Sequence, residues 1–216
     1  MKRNLVSLVA KTSEFFAYGK PEIDALSDRD PVLGKAIARI GHIFRKTTTD
    51  PFTGLIRSIS GQQISGKAHA AIWQRFRQNY DRIAPETIIA GGSEKLRLCG
   101  VSRTKATTIL TVAKEFAGGC LCNQNWPELA DSEINELLLK ICGIGPWTVE
   151  MALIFTFHRP NVLSFGDLAI RRGMSRLYQI NDITKEFFAT KKSLYAPYAT
   201  IAGFYLWELA AEKLTI

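Results

Sequence analysis

Apolar positions recur along this chain at helical spacing, in short runs broken by glycine, proline and small polar residues. From Pro51-Phe52 onward, Leu55, Ile56 and Ile59 fall on one side of a 3.6-residue turn. Gln62-Gln63-Ile64-Ser65-Gly66 interrupts that run, and Ser65 then caps a helix with Ala68, Ile72 and Phe76 on one face. Ser93-Glu94 begins a short helix that Gly100 stops. Ser102 opens another, carrying Ala106, Ile109, Leu110 and Ala113 and ended by Gly118-Gly119. Asp131 or Ser132 caps the helix leading to Gly143. Pro146 sits in the first turn of the next, where a missing N–H costs no intrahelical bond, and that helix ends near Arg159-Pro160. Asp167 or Gly166 begins a further helix, and Pro197 starts the last, packing through Ile201, Phe204, Tyr205 and Leu209. Strand-like alternation is scarce: Ile88-Ile89 and Val162-Leu163 are short apolar pieces, and Thr184 to Lys192 is polar and less regular. The residues ahead of Pro51 read as helical. The pattern predicts an all-α fold of roughly ten helices.

Composition narrows the class without naming a function. The 216 residues make one domain or two closely packed subdomains, and 46% hydrophobic residues suffice for a sizeable core. Lys and Arg number 28 against 20 Asp and Glu, a net charge of +8. That excess favours a polyanionic partner, because cations that neutralise phosphates release condensed counterions. Of Cys99, Cys120, Cys122 and Cys142 only the middle two are close, so the chain reads as one with reduced thiols and no metal site. The apolar start, Leu5 to Ala10, imitates a secretion signal until Lys11 and Glu14 interrupt it. No stretch reaches bilayer-spanning length, which points to a cytoplasmic protein in a bacterium or archaeon, or a nuclear one in a eukaryote.

One segment carries candidate chemistry. In Leu138-Leu139-Lys140-Ile141-Cys142-Gly143-Ile144-Gly145-Pro146-Trp147-Thr148 an apolar helix meets Gly-Ile-Gly and a new helix starts at once. The opening N–H groups of that second helix lack intrahelical partners and sit at a positive dipole end, where a phosphate is stabilised. Glycines allow positive φ and close approach of the phosphate. An ordinary turn between two helices has the same glycines. Asp167, within Ser164-Phe165-Gly166-Asp167-Leu168, lies nineteen residues past Thr148 and serves either as a catalytic group or as an N-cap.

The run from Leu138 to Met151, then Leu153-Ile154-Phe155-Thr156-Phe157-His158-Arg159-Pro160, then Gly166-Asp167-Leu168-Ala169-Ile170-Arg171-Arg172-Gly173, closely resembles the helix-hairpin-helix DNA glycosylases. It is most similar to the 3-methyladenine DNA glycosylase II branch, which removes alkylated purines. Gly61 to Ala68, Cys99 to Ala106 and Pro197 to Trp207 resemble further motifs of that family in the same order, so the likeness spans residues 50 to 210.

The resemblance implies two helical subdomains, about 51–160 and 1–50 with 161–216, and an active-site cleft between them into which a damaged nucleotide is flipped. It implies a monomer acting on duplex DNA that contains alkylated bases, without cofactor or metal. Asp167 falls on the family's catalytic aspartate, which stabilises positive charge building on the sugar. Trp147 stands where bifunctional relatives carry the lysine that attacks the sugar, which implies hydrolysis without strand cleavage. An indole face there attracts a cationic 3- or 7-methylpurine, or else Trp147 packs in the core. Phe155, Phe157, Phe165 and Tyr205 are further candidates for the base pocket. Gln62, Gln63 and Ser65 match the loop that enters the minor groove, and Gly143, Ile144, Gly145 and Thr148 match the phosphate-holding hairpin. Ser65 is small where some relatives carry a bulkier wedge. Ala199 and Gly166 depart from the branch, which often has Arg and a second acid at these places. A damaged-DNA-binding protein with little turnover is the alternative, and an α-helical scaffold with non-specific DNA binding is a third reading.

Overall fold

A computed structural model of the chain describes residues 14–211, so the apolar segment Leu5 to Ala10 lies outside the described residues. The described residues form eleven helices and no strand beyond one isolated bridge, Phe15 to Lys46. They are α1 (Lys20–Arg29), α2 (Pro31–Ile40), α3 (Pro51–Ser60), α4 (Gly66–Asn79), α5 (Pro85–Leu98), α6 (Arg103–Gly118), α7 (Asp131–Leu139), α8 (Pro146–Phe155), α9 (Leu168–Tyr178), α10 (Lys185–Tyr195) and α11 (Ala199–Ala211). The chain divides into two compact units. One is continuous, Thr48–Phe157, and holds α3 to α8; the other joins the residues up to Thr47 to those from His158 onward.

In the continuous unit the helix starts follow side-chain chemistry. Asp50, Ser65 and Ser102 each accept a hydrogen bond from a first-turn N–H of α3, α4 and α6. Leu55, Ile56 and Ile59 of α3 and Ile72 and Phe76 of α4 are buried as the spacing predicts, whereas Ala68 is exposed. Three elements differ from the sequence pattern. Ile88 and Ile89 lie in a helix that starts at Pro85, behind Ala84, whose side chain caps nothing; Gly92, at φ +63, kinks it just before Ser93. Ala130, not Asp131 or Ser132, precedes α7, and its N–H donates to Glu133 Oε2 at 2.7 Å. Finally, α8 ends at Phe155, short of Arg159-Pro160. Thr156 and Phe157 N–H both donate to Ala152 O and His158 takes φ +53, so the chain turns before the proline.

The second unit is built around α11. Residues Ala199 to Leu206 and Leu209 are buried all round this helix, not along one stripe. Pro197 lies two residues ahead of it, in a turn closed by Tyr198 N–H donating to Tyr195 O at 2.8 Å. Gly173 lets α9 cross α11 closely, since a Cβ there would stand 2.0 Å from Leu206 O. The polar stretch from Thr184 is a regular helix, α10, capped by Thr184; it buries only Phe188 and Tyr195, which leaves its apolar signal weak. Among the described residues before Pro51, only α1 and α2 are helical.

Candidate DNA interface and active site

The hairpin between α7 and α8 is held by its neighbours' side chains. Gly143 has φ +90, and a Cβ on it would fall 2.0 Å from Thr108 Oγ1, so this position requires glycine twice over. That hydroxyl donates to Cys142 O at 3.2 Å. Ile144 is buried and plugs the turn, its N–H donating to Ile141 O. Gly145 differs: its φ is −109, and a Cβ there meets nothing within 4 Å. The positive φ foreseen for the pair thus belongs to Gly143 alone, and Gly145 keeps its surroundings open. Pro146 follows as the first residue of α8, and Thr148 and Val149 N–H both donate to Gly145 O.

The loop after α3 is bonded to this hairpin. Gln62 Nε2 donates to Gly143 O at 3.0 Å and to Thr148 Oγ1 at 2.8 Å. Lys105 Nζ donates to Gln62 O at 2.7 Å and to Ser60 O at 3.0 Å, satisfying carbonyls at the end of α3. Burial holds the Lys105 ammonium below its usual range. Behind the loop, His69 lies 3.2 Å from Ser60 Oγ. Burial, and then the charge of Arg57, lowers the His69 imidazole from its ordinary 6.5. Gln63, at φ +53, and Ser65 are exposed, so Gln62 faces the hairpin while Gln63 faces solvent. Lys105 and Thr108, three apart on one side of α6, were not singled out by the sequence pattern. Their partners are carbonyls that only the fold brings near.

In the other unit Asp167 is the N-cap of α9. Its Oδ1 accepts from Ala169 N–H at 2.8 Å and Ile170 N–H at 3.0 Å, and the residue is 8% exposed. The two roles considered for Asp167 are compatible: a cap fixes the carboxylate's direction, and a carboxylate has a second oxygen. Leu168 beside it is exposed, and Ser164 Oγ is a buried hydroxyl with no hydrogen-bond partner among the described residues.

The aromatic candidates occupy different surroundings. Trp147 is half-buried in the first turn of α8. Phe157, half-buried, stacks on Trp126 with centroids 5.2 Å apart. Phe165 packs edge-on against Phe188 at 5.2 Å and lies under the Arg171 guanidinium at 5.1 Å. Tyr205 is wholly buried, and burial, with Tyr18 beside it, pushes its phenol above the usual range. Among the described residues no group of three or more His, Cys, Asp or Glu could hold a metal ion. No described helix is long and apolar enough to cross a membrane.

Comparison with known proteins gives the family and the fold. Residues 56–197 match the HhH-GPD superfamily of base excision DNA repair proteins. The chain is 36% identical over 164 residues to DNA-3-methyladenine glycosylase 1 of Schizosaccharomyces pombe, covering 74% of this chain and 72% of the relative. A solved structure of the S. pombe 3-methyladenine DNA glycosylase in complex with abasic DNA superposes with a TM-score of 0.83 at 30% identity, over 91% of this chain and all of that one. A DNA-3-methyladenine glycosidase from Bacillus halodurans superposes at 0.74 with 33% identity, over 92% of this chain and 93% of that one.

Proposed function

The chain belongs to the HhH-GPD superfamily of base excision DNA repair proteins, and on that premise we propose that it is a DNA glycosylase for alkylated bases. In this reading it hydrolyses the N-glycosidic bond of 3- and 7-methylpurines in duplex DNA, working as a monomer in the compartment that holds the DNA. The damaged base leaves the stack and the chemistry takes place on the flipped nucleotide. The observation that carries the reading is Asp167: a buried carboxylate, aimed by two backbone N–H bonds to one of its oxygens.

As the bond from sugar to base breaks, positive charge grows on the sugar. The Asp167 carboxylate stabilises that charge and orients the attacking water, whose proton it accepts. The hairpin grips a phosphate at the start of α8, where Gly145 leaves room. Gln63 and Ser65 meet the minor groove, and Gln62 serves them by tying their loop to the hairpin. Trp147 offers an electron-rich face to a cationic methylpurine, and Phe157, Phe165 and Tyr205 remain candidate base contacts, each within its own unit. Since Trp147 has no amine, no covalent adduct with the sugar forms and the strand stays intact.

Single-turnover release of free base from methylated duplex, read by chromatography, tests this. Asp167→Asn keeps the cap but loses the charge, and release should slow by about 100- to 1,000-fold with lesion binding unchanged. Near-normal release by a folded variant would reduce Asp167 to a cap. Wild-type protein that binds lesions but frees no base would be a damage sensor. Borohydride should trap no adduct, and a lysine-linked adduct would overturn the monofunctional mode.

A further inference from the structure

Four aromatic rings form a row on the discontinuous unit. Tyr18 stacks on His42 at 4.4 Å with 20° between planes, His42 meets Phe44 edge-on at 4.6 Å, and Phe44 meets Phe15 edge-on at 5.8 Å. The backbone builds this row. Phe16 N–H donates to Arg45 O and Thr47 N–H to Glu14 O, both at 2.8 Å, so two short extended segments pair with Phe15 opposite Lys46. In extended chain His42, Phe44 and Lys46 are two apart and share a side. The Tyr18 hydroxyl accepts Ile43 N–H at 2.8 Å and donates to Ile43 O at 2.9 Å, which pins the row at its other end.

A single exposed apolar side chain means little, but ordered rings in contact form a patch. Phe44 is 70% exposed, His42 is exposed, and Tyr18 at the end of the row lies 6.1 Å from the ring of buried Phe204. Charge indicates the partner. From Lys35 to Thr49 the chain carries Lys35, Arg39, Arg45 and Lys46 and no Asp or Glu. Glu14 lies 2.7 Å from Lys46 and Glu208 2.6 Å from Arg45. The Lys46–Glu14 pair is well exposed and therefore weak, so Lys46 exchanges Glu14 for a phosphate at little cost. Open π faces beside exchangeable cations match a nucleotide, whose base stacks while its phosphate meets an ammonium.

We propose that this row, with His42 and Phe44 foremost, is a stacking platform for an unstacked nucleobase of DNA, with Lys46 on the adjoining phosphate. The base comes either from a single strand or from a position drawn out of a duplex. Stacking needs no bond breaking, so the proposal stands apart from the glycosylase reading.

Anisotropy titrations with a short labelled oligothymidylate, and with a duplex carrying one bulged thymidine, test it across a salt series. Phe44→Ala should weaken binding by about tenfold at every salt concentration. Phe44→Leu should do the same, because it keeps apolar bulk but lacks a π face, and Phe44→Trp should restore or tighten binding. The slope of log affinity against log salt should not change in these variants, whereas Lys46→Ala should flatten it by about 0.7 on the single strand. Loss on the oligothymidylate alone identifies single strands as the source, and loss on the bulged duplex identifies the extruded base. Unchanged affinity of Phe44→Ala for both probes overturns the platform, and so does an equal loss in Phe44→Trp.

Discussion

Each unit is tied internally by polar groups of different chemistry. In the continuous unit Gln62, Lys105 and Thr108 bond to backbone carbonyls in surface loops, so polar side chains there shape main chain. The discontinuous unit makes such bonds too, from Arg176 to Leu209 O and from Thr200 to Arg159 O, but it adds a buried carboxylate, Asp30, which is 3% exposed. Its Oδ1 caps α2 by accepting Val32 and Leu33 N–H, while Oδ2 accepts the Tyr178 hydroxyl at 2.6 Å and Lys191 Nζ at 2.9 Å. The Tyr178 and Tyr195 hydroxyls are bonded in turn. Burial pushes the Asp30 carboxyl up, but hydrogen bonds from Tyr178, Lys191 and Leu33 outweigh it and leave the group below its usual range. The difference follows from chain connectivity. A unit made from one segment closes with short-range contacts and a few ties such as Thr48 N–H to Phe155 O at 2.9 Å. A unit made from both ends of a chain must offset the closure of a long loop, and a buried link across 161 positions contributes to that.

The largest expected effect strikes the buried link. Asp30→Ala leaves the Lys191 ammonium and the Tyr178 hydroxyl without their acceptor and should cost about 3–5 kcal/mol in urea unfolding. A loss below about 1 kcal/mol, the value of an exposed pair, would erase the contrast between the units. The two hairpin glycines sharpen it next. Gly143→Ala forces a side chain into positive φ and onto Thr108 Oγ1, and should lower stability by about 2 kcal/mol. Gly145→Val should leave the melting temperature nearly unchanged yet weaken binding to damaged and undamaged duplex alike. Lesion-selective weakening would mean that the hairpin is no general phosphate anchor.

A smaller effect concerns the tie between loop and hairpin. A double-mutant cycle of Gln62→Ala and Thr148→Val, read by unfolding, should return a coupling of about 1 kcal/mol for the bond between Gln62 Nε2 and Thr148 Oγ1. Strict additivity would mean that this bond contributes nothing to the tie between loop and hairpin. The smallest effect is on pH dependence. Burial, followed by the charge of Arg57, keeps the folded His69 imidazole below 6.5, so the unfolded chain binds the proton first as pH falls. Stability from this group is therefore complete above 6.5 and drains away as pH drops toward the folded value, by at most about 1.4 kcal/mol per pH unit. His69→Gln should flatten that slope in part, because burial lowers His158 as well and the same sign applies there. An unaltered slope would show that His69 binds its proton equally well in the folded and unfolded chain, and the assignment would fail.

Much of the architecture was legible in local chemistry. Ser65 and Ser102 announce their helices, because a hydroxyl that accepts a first-turn N–H acts within a few residues of itself. Glycine and proline between apolar runs likewise mark most boundaries, and the hairpin, Trp147 and Asp167 stand out as motifs. The first half of α5 and the whole of α10 were not legible. Ala84 gives no capping signal ahead of Pro85, and α10 buries too few residues to show a period.

Sequence by itself therefore determined the helical class, most helix starts and the order of the family's motifs, since all of these act over a turn or two of chain. Tertiary structure alone decided which glycine of Gly-Ile-Gly bears the positive φ, and that Gln62 turns to the hairpin while Gln63 stays exposed. It also decided that Asp30 joins Tyr178 and Lys191 and that four aromatic rings line up beside Lys46. Each of these depends on groups brought together across many residues, and local propensity carries no information about distance through space.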